Sequence, residues 1–135
     1  MTKKSQDTLI EKANGMLENA YVPYSNFPVG AAILSKDGEI FTGSNIENSS
    51  YSLSNCAERT AVFKAVSEGS LEFDKMVVTG NTEGPISPCG ACRQVLSEFC
   101  EPDMPIILTN IKGDIEETTI AELLPNAFTQ ADLKD

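Results

Sequence analysis

The chain contains no histidine and no tryptophan, and it sets only 10 Lys and Arg against 20 Asp and Glu. Without imidazole, proton transfer and metal binding fall to thiols and carboxylates. The shortage of basic residues leaves a formal net charge of −10. Phosphate backbones are bound chiefly by Lys and Arg, so long nucleic acid is excluded as the expected partner. Also missing is any apolar run near the roughly 20 residues that cross a bilayer, and the opening MTKKSQDT lacks the apolar core of an export signal. A soluble, unexported, cytoplasmic protein without a membrane partner is expected. No linker, internal repeat or low-complexity segment divides the 135 residues. One hydrophobic core commonly serves about 50 to 200 residues, so a single domain over 1–135 is expected. Cysteine is sparse as well, at four residues in a chain large enough to fold without staples. Reducing cytosol favours metal binding or catalysis for such thiols over disulfides.

Leu9, Ile10, Ala13, Met16, Leu17 and Ala20 recur at helical spacing and predict an opening amphipathic helix, followed by the irregular YVPYSNFP. VGAAILS and EIFTGSNI read as strands joined around KDG, whose Asp-Gly pair suits a tight hairpin. The run from Cys56 predicts a helix stopped at Gly69. The strand KMVVTG and the loop NTEGPISP then lead into the helix CGACRQVLSEFC. After it come the strand PIILTNI, the turn KGD, the strand EETTI and a short helix AELLP. Strands separated by a helix pair in parallel in mid-sheet, while hairpins supply antiparallel edges. The fold class is therefore α/β, a mixed five-stranded sheet between helical layers.

Cys56, Cys89 and Cys92 are the candidate metal ligands. Zinc holds thiolates at about 2.3 Å, so the sulfurs must lie within roughly 4 Å of one another. Cys92 and Cys100 share one predicted helix, and eight residues of 1.5 Å rise separate them by about 12 Å, too far for both to reach one ion. Cys100 is expected in the core. Helix starts stabilise thiolates through their partial positive charge. Three protein ligands leave a tetrahedral zinc one open position, the mark of catalytic sites. Glu58, two residues after Cys56, diverges from it on a helix and so is placed beside the metal as a proton carrier. Three thiolates donate more charge than imidazoles and oppose the acidification of bound water, so a compensating cation is expected. Arg59 is assigned that role, hydrogen-bonded to the sulfurs, while Arg93 follows the last ligand. A Cys-x-x-Cys pair alone also fits a structural zinc half-site or a redox pair. Joined to Cys-x-Glu upstream and a preceding Pro, it matches the zinc deaminase signature.

With CAERTA and PCGACRQ on the page, the chain resembles the small, homotetrameric, all-thiolate cytidine deaminases of the cytidine/deoxycytidylate deaminase family. YVPYSNFPVGAA, GSNIENSSYSLSNCAERTA, SPCGACRQVLSEF and ELLPNAF extend the resemblance over nearly the whole chain. It implies the three-layer α/β/α sandwich of that family and one Zn2+ per subunit. The implied activity is hydrolytic deamination of cytidine and 2'-deoxycytidine in pyrimidine salvage. It further implies that Asn45 and Glu47 hold the ribose hydroxyls and that Phe27 lines the nucleoside pocket. By the same resemblance the Ala57 amide and the Ser87 carbonyl read the pyrimidine edge. Phe128, and with it Tyr51, reaches the site of a neighbouring subunit. Without the resemblance, Asn45 and Glu47 read as loop caps, Phe27 as core packing and Phe128 as the anchor of a terminal segment. Three rival functions stand beside it: a related aminopyrimidine deaminase such as one for blasticidin S, a deaminase editing tRNA or single-stranded DNA, and a structural zinc module closed by Cys100. The acidic balance opposes the second and helix spacing the third.

Overall fold

Leu9 and Ala13, one helical turn apart, bury their side chains where helix α1 (Lys3–Gly15) lies on the sheet. The computed structural model describes residues 3–133. Met1, Thr2, Lys134 and Asp135, the ends of the expected 1–135 domain, lie outside the described residues. The apolar periodicity overruns the helix: Met16–Asn19 tightens into a 3-10 turn. There the Met16 carbonyl accepts a 2.5 Å bond from the Ser44 hydroxyl, so tertiary bonding rather than helix propagation takes that group.

Strands β1 (Val29–Ser35) and β2 (Ile40–Ser44) form the expected hairpin, with Gly38 at φ 95° in the turn. β2 is shorter than the apolar run predicts. The Asn45 amide still donates to the Val29 carbonyl at 3.3 Å, but Ile46 leaves β1 and makes isolated bridges to Tyr21 and Asn55. Helix α2 (Ala57–Ser67) ends just before Gly69, whose φ of 97° only glycine adopts without strain. Strand β3 (Phe73–Gly80), helix α3 (Gly90–Phe99) and strand β4 (Pro105–Thr109) follow. Strand β5 (Ile115–Thr119) and the short helix α4 (Ile120–Leu123) complete the order.

The sheet order is β2-β1-β3-β4-β5. β3 and β4 run parallel because α3 carries the chain back between them; the other neighbours are antiparallel. The period of two in each strand then sorts the core. Ala31, Ile33, Met76, Val78, Ile106 and Leu108 point to one face with Ala61, Val62 and Ala65 of α2 and Leu96 of α3. Ala32, Val77 and Ile107 point to the other face, under Leu9 and Ala13. The register Ala32↔Val77↔Ile107 puts these three in one row across the sheet. The result is the three-layer α/β/α arrangement with a mixed five-stranded sheet. On the α2 and α3 side, both helix N-termini open toward the same end of the molecule, where β3 ends.

Candidate active site and metal centre

Cys56 is the N-cap of α2 and Cys89 the N-cap of α3, and neither side chain caps its own helix. N-cap positions favour Ser, Thr, Asp and Asn because their oxygens bond the free amides of the first turn. A cysteine there leaves its sulfur free to face elsewhere. The two sulfurs face each other at 3.7 Å, and Cys92, in the first turn of α3, brings a third within 3.3 Å of Cys89. All three lie within 4.8 Å of one another, the one such donor group among the described residues. Tetrahedral zinc with bonds of about 2.3 Å sets its sulfurs about 3.8 Å apart, so the donor set fits. Cys100, at the C-cap of α3, is outside the group and buried in the core. Burial, with Glu101 alongside, pushes its thiol up to about 12.

The chemistry of the three thiols also calls for a cation. The Cys92 thiol beside it, then the Arg59 guanidinium and Cys89, pull Cys56 down to about 5 against the opposing effect of burial. Cys92 moves the other way, because its proton is held in the bond to Cys56 and because it is buried. The sulfurs thus compete for protons, and a divalent, thiophilic ion lets all three ionise at once. Arg59 Nη2 donates to Cys56 Sγ at 3.2 Å. Its Nε is buried with no partner among the described residues.

Glu58 is 4% exposed. Burial raises its carboxyl above the ordinary value, and the neighbouring Cys56 charge adds to the shift. It lines an open cavity of about 500 Å³ together with Cys56 and Cys89. Phe27, Asn45, Glu47, Ala57 and Ser87 line the same cavity, so five of the predicted contact residues meet at the thiols. Asn26, at φ 56°, turns the chain into the Phe27 segment. The Asn45 side chain braces that segment: Oδ1 accepts from the Val29 amide at 2.9 Å and Nδ2 donates to the Phe27 carbonyl at 2.8 Å. Each atom keeps a further hydrogen-bonding site for a ligand. Glu47 accepts the Tyr24 and Ser25 amides at 3.0 and 3.1 Å and the Ser25 hydroxyl. The hydroxyl bond, followed by these amides, holds its carboxyl below the ordinary range.

Tyr51 and Phe128 are not in this cavity. Tyr51 is 74% exposed and packs edge-on against Tyr24 at 5.9 Å, beside an adjoining groove that shares Ser25 and Glu47. Phe128 is 57% exposed, its carbonyl accepting a 2.8 Å bond from Gln94 Nε2. Arg93, unlike Arg59, turns away from the sulfurs. Its guanidinium donates to the Pro88 carbonyl at 3.0 Å, the Leu123 carbonyl at 2.7 Å and the Ser87 hydroxyl at 3.2 Å, fastening the loop before Cys89 to α4. Asn110 fastens the same loop from the other side, donating to the Thr82 carbonyl at 2.9 Å. Ser25, Val29 and Ile86 complete the wall and are not predicted from the sequence. The one cue for Ile86 is an apolar residue isolated between the prolines of GPISP.

The family described as the cytidine and deoxycytidylate deaminase zinc-binding region matches residues 3–108. The cytidine deaminase of Sporosarcina psychrophila is 62% identical over 127 residues, covering 94% of this chain and 93% of that protein. That of Halalkalibacterium halodurans is 55% identical over 127 residues, covering 94% and 96%. The crystal structure of cytidine deaminase from Burkholderia pseudomallei superposes with a TM-score of 0.89 at 52% identity, over 95% of this chain and 100% of that one. With its three-cysteine zinc site at the paired helix starts, the chain belongs to the cytidine and deoxycytidylate deaminase family, hydrolytic enzymes of the α/β class.

Proposed function

We propose that the protein hydrolyses cytidine and 2'-deoxycytidine to uridine and 2'-deoxyuridine, releasing ammonia, and that Glu58 carries the protons. The observation that carries this reading is one cavity holding both halves of the chemistry. Two zinc-ligand sulfurs and a buried carboxyl lie at one end, and the Asn45 and Glu47 polar pair lines the same space. Zinc held by Cys56, Cys89 and Cys92 supplies the Lewis acidity that makes water nucleophilic near neutral pH.

The chain's own groups do the rest. The Glu58 carboxylate accepts one proton of the attacking water and delivers it to ring N3, as a C–O bond forms at C4. It then moves the second water proton to the exocyclic nitrogen, the C4–N bond breaks, and ammonia leaves while the N3 proton stays on the product. A carboxyl raised by burial suits this traffic, since it gives up and regains a proton more evenly near neutral pH than a solvated one. Arg59 offsets the thiolate charge at Cys56. Glu47 and Asn45 hold the ribose hydroxyls, Phe27 packs on the nucleoside, and the Ala57 amide and Ser87 carbonyl read the pyrimidine edge. A carboxylate held ionised by three donors accepts from hydroxyls without needing a proton of its own.

We place the enzyme in pyrimidine salvage in the cytoplasm, as a homotetramer. Four free thiols suit a reducing compartment, and no helix among the described residues is long and apolar enough to cross a membrane. Exposed Tyr24 and Tyr51 on the adjoining groove, with exposed Tyr21, Ile46 and Leu53, supply apolar surface for association, with Tyr51 and Phe128 reaching a neighbour's pocket. The structural zinc module loses its support, since the sulfur group has three members among the described residues and Cys100 is not one of them. Incubating zinc-loaded protein with cytidine, and separately with cytosine base, tests the proposal by ultraviolet absorbance and ammonia release. Conversion of the nucleoside alone is expected; no ammonia from cytidine or 2'-deoxycytidine would overturn it.

A further inference from the structure

Cys56, Ala57 and Glu58 all belong to the start of α2, and that start sits on β2 at Gly43. A Cβ placed on Gly43 would stand 2.4 Å from the Ala57 carbonyl oxygen, 2.5 Å from the Ala61 amide nitrogen and 2.9 Å from Thr60 Cβ. Two of these are backbone atoms and the third is a β-carbon, so no flexible side chain can swing aside. Ordinary contact begins at 3.4 Å. A single methyl therefore drives helix and strand apart by about 1 Å, the scale of misplacement at which oriented catalysis loses roughly 10²-fold.

The push has a short route to the metal ligand. Thr60 donates to the Cys56 carbonyl twice, from its amide at 3.0 Å and its hydroxyl at 3.1 Å, while Asn55 Nδ2 donates to the Thr60 hydroxyl at 3.1 Å. Cys89 and Cys92, by contrast, ride on α3, a separate helix whose Leu96 shares the core of that face with Met76, Val78, Ile106 and Leu108. Moving α2 alone changes the 3.7 Å gap between Cys56 and Cys89. Zinc sites tolerate only about 0.2 Å in ligand distance.

We infer that Gly43 is a positioning residue. Its missing side chain sets the height of the α2 start above the sheet and so holds the Cys56 sulfur and the Glu58 carboxyl in register with the two sulfurs of α3. The inference rests on the zinc deaminase reading, and its test includes a metal arm that does not depend on turnover. Gly30 provides the matched control. A Cβ there meets the Ala13 carbonyl at 2.1 Å, an equally hard clash on the opposite face, against α1.

The experiment compares Gly43→Ala and Gly30→Ala with the parent, each loaded with cobalt(II) and, separately, with zinc. Gly43→Ala is expected to shift the thiolate-to-cobalt charge-transfer and ligand-field bands. Its metal should bind about 10-fold to 100-fold more weakly, and kcat on cytidine should fall about 10²-fold. Gly30→Ala is expected to lower the Tm while keeping the parent's bands, metal affinity and kcat. Parent-like bands, affinity and kcat in Gly43→Ala would overturn the inference. So would band shifts of equal size in Gly30→Ala, which would mark general loosening instead. If Gly43→Ala does not fold, Thr60→Ala replaces it, removing the hydroxyl link to Cys56 without a clash. It should shift the bands in a folded protein, and unchanged bands there would sink the inference. A parent that binds cobalt through three thiolates yet leaves cytidine intact would refute the proposed function while the metal arm still judges Gly43.

Discussion

Helix α1 lies over one face of the sheet with Leu9 and Ala13 sealed against Ala32, Val77 and Ile107. On the other face α2 and α3 bury Ala61, Val62, Ala65 and Leu96 just as well, yet both begin without a side-chain cap. A Ser, Thr, Asp or Asn at an N-cap is worth about 1 kcal/mol, and α4 takes that contribution through Thr119, which accepts from the Glu122 amide. Cys56 and Cys89 forgo it. The two faces show what the protein assigns to each layer: one insulates, while on the other the starts of α2 and α3 go without side-chain caps and carry the thiols.

The largest effect that sharpens this division is Glu58→Gln. It should keep zinc, since no ligand is lost, and cost at least about 10⁴-fold in kcat, or about 5 kcal/mol, because the proposed mechanism routes every proton transfer through this one group. Cytidine absorbance and metal analysis measure both; near-normal turnover would remove the chemistry from this face.

Chelating the zinc comes next. Metal at about 1,000 times its Kd adds about 4 kcal/mol to stability. Its removal should raise amide exchange at the starts of α2 and α3 and spare the middle of α1. Uniform loosening would break the comparison.

Leu9→Ala attacks the insulating face. Truncating a fully buried Leu costs about 2 to 5 kcal/mol, read as a lower urea midpoint, and should leave kcat and KM within about twofold. A large loss of kcat in the folded variant would give α1 a part in the site.

The smallest effect concerns Ser25→Ala. The Ser25 hydroxyl contributes most to depressing the Glu47 carboxyl, so in the parent Glu47 stays ionised below its ordinary 4.5, and the proposed ribose contact persists as pH falls. Losing the hydroxyl returns the group toward 4.5. KM of the variant should therefore climb at a higher pH than the parent's as acid is added, with little difference at pH 7. Superimposable KM profiles would detach Glu47's ionisation from substrate binding.

Much of this was legible before any coordinates. The strand-like run VGAAILS, the Asp-Gly turn and the glycine stop after α2 are local signals, and β1, the hairpin and the end of α2 fall where they indicate. The reading failed where tertiary bonds outbid local pattern. Met16 to Ala20 has helical periodicity, but Ser44 claims the Met16 carbonyl, and Ile46 leaves β2 for Tyr21 and Asn55, outside the β1 ladder. In the site, spacing separated Cys100 from the ligand set because distance along a helix is fixed per residue. The same arithmetic could not tell which way Arg93 turns, and only packing shows it bound to Pro88, Ser87 and Leu123.

By itself, the order of residues determined the element types, the three thiols at two helix starts and the carboxyl beside one of them. These depend on covalent spacing and on periods of two and 3.6. Tertiary structure alone decided that the two starts come within 3.7 Å, that Glu58 is buried and that Gly43 has room for nothing but hydrogen. Those are distances between segments far apart in the chain, and they are set by how helices rest on a sheet.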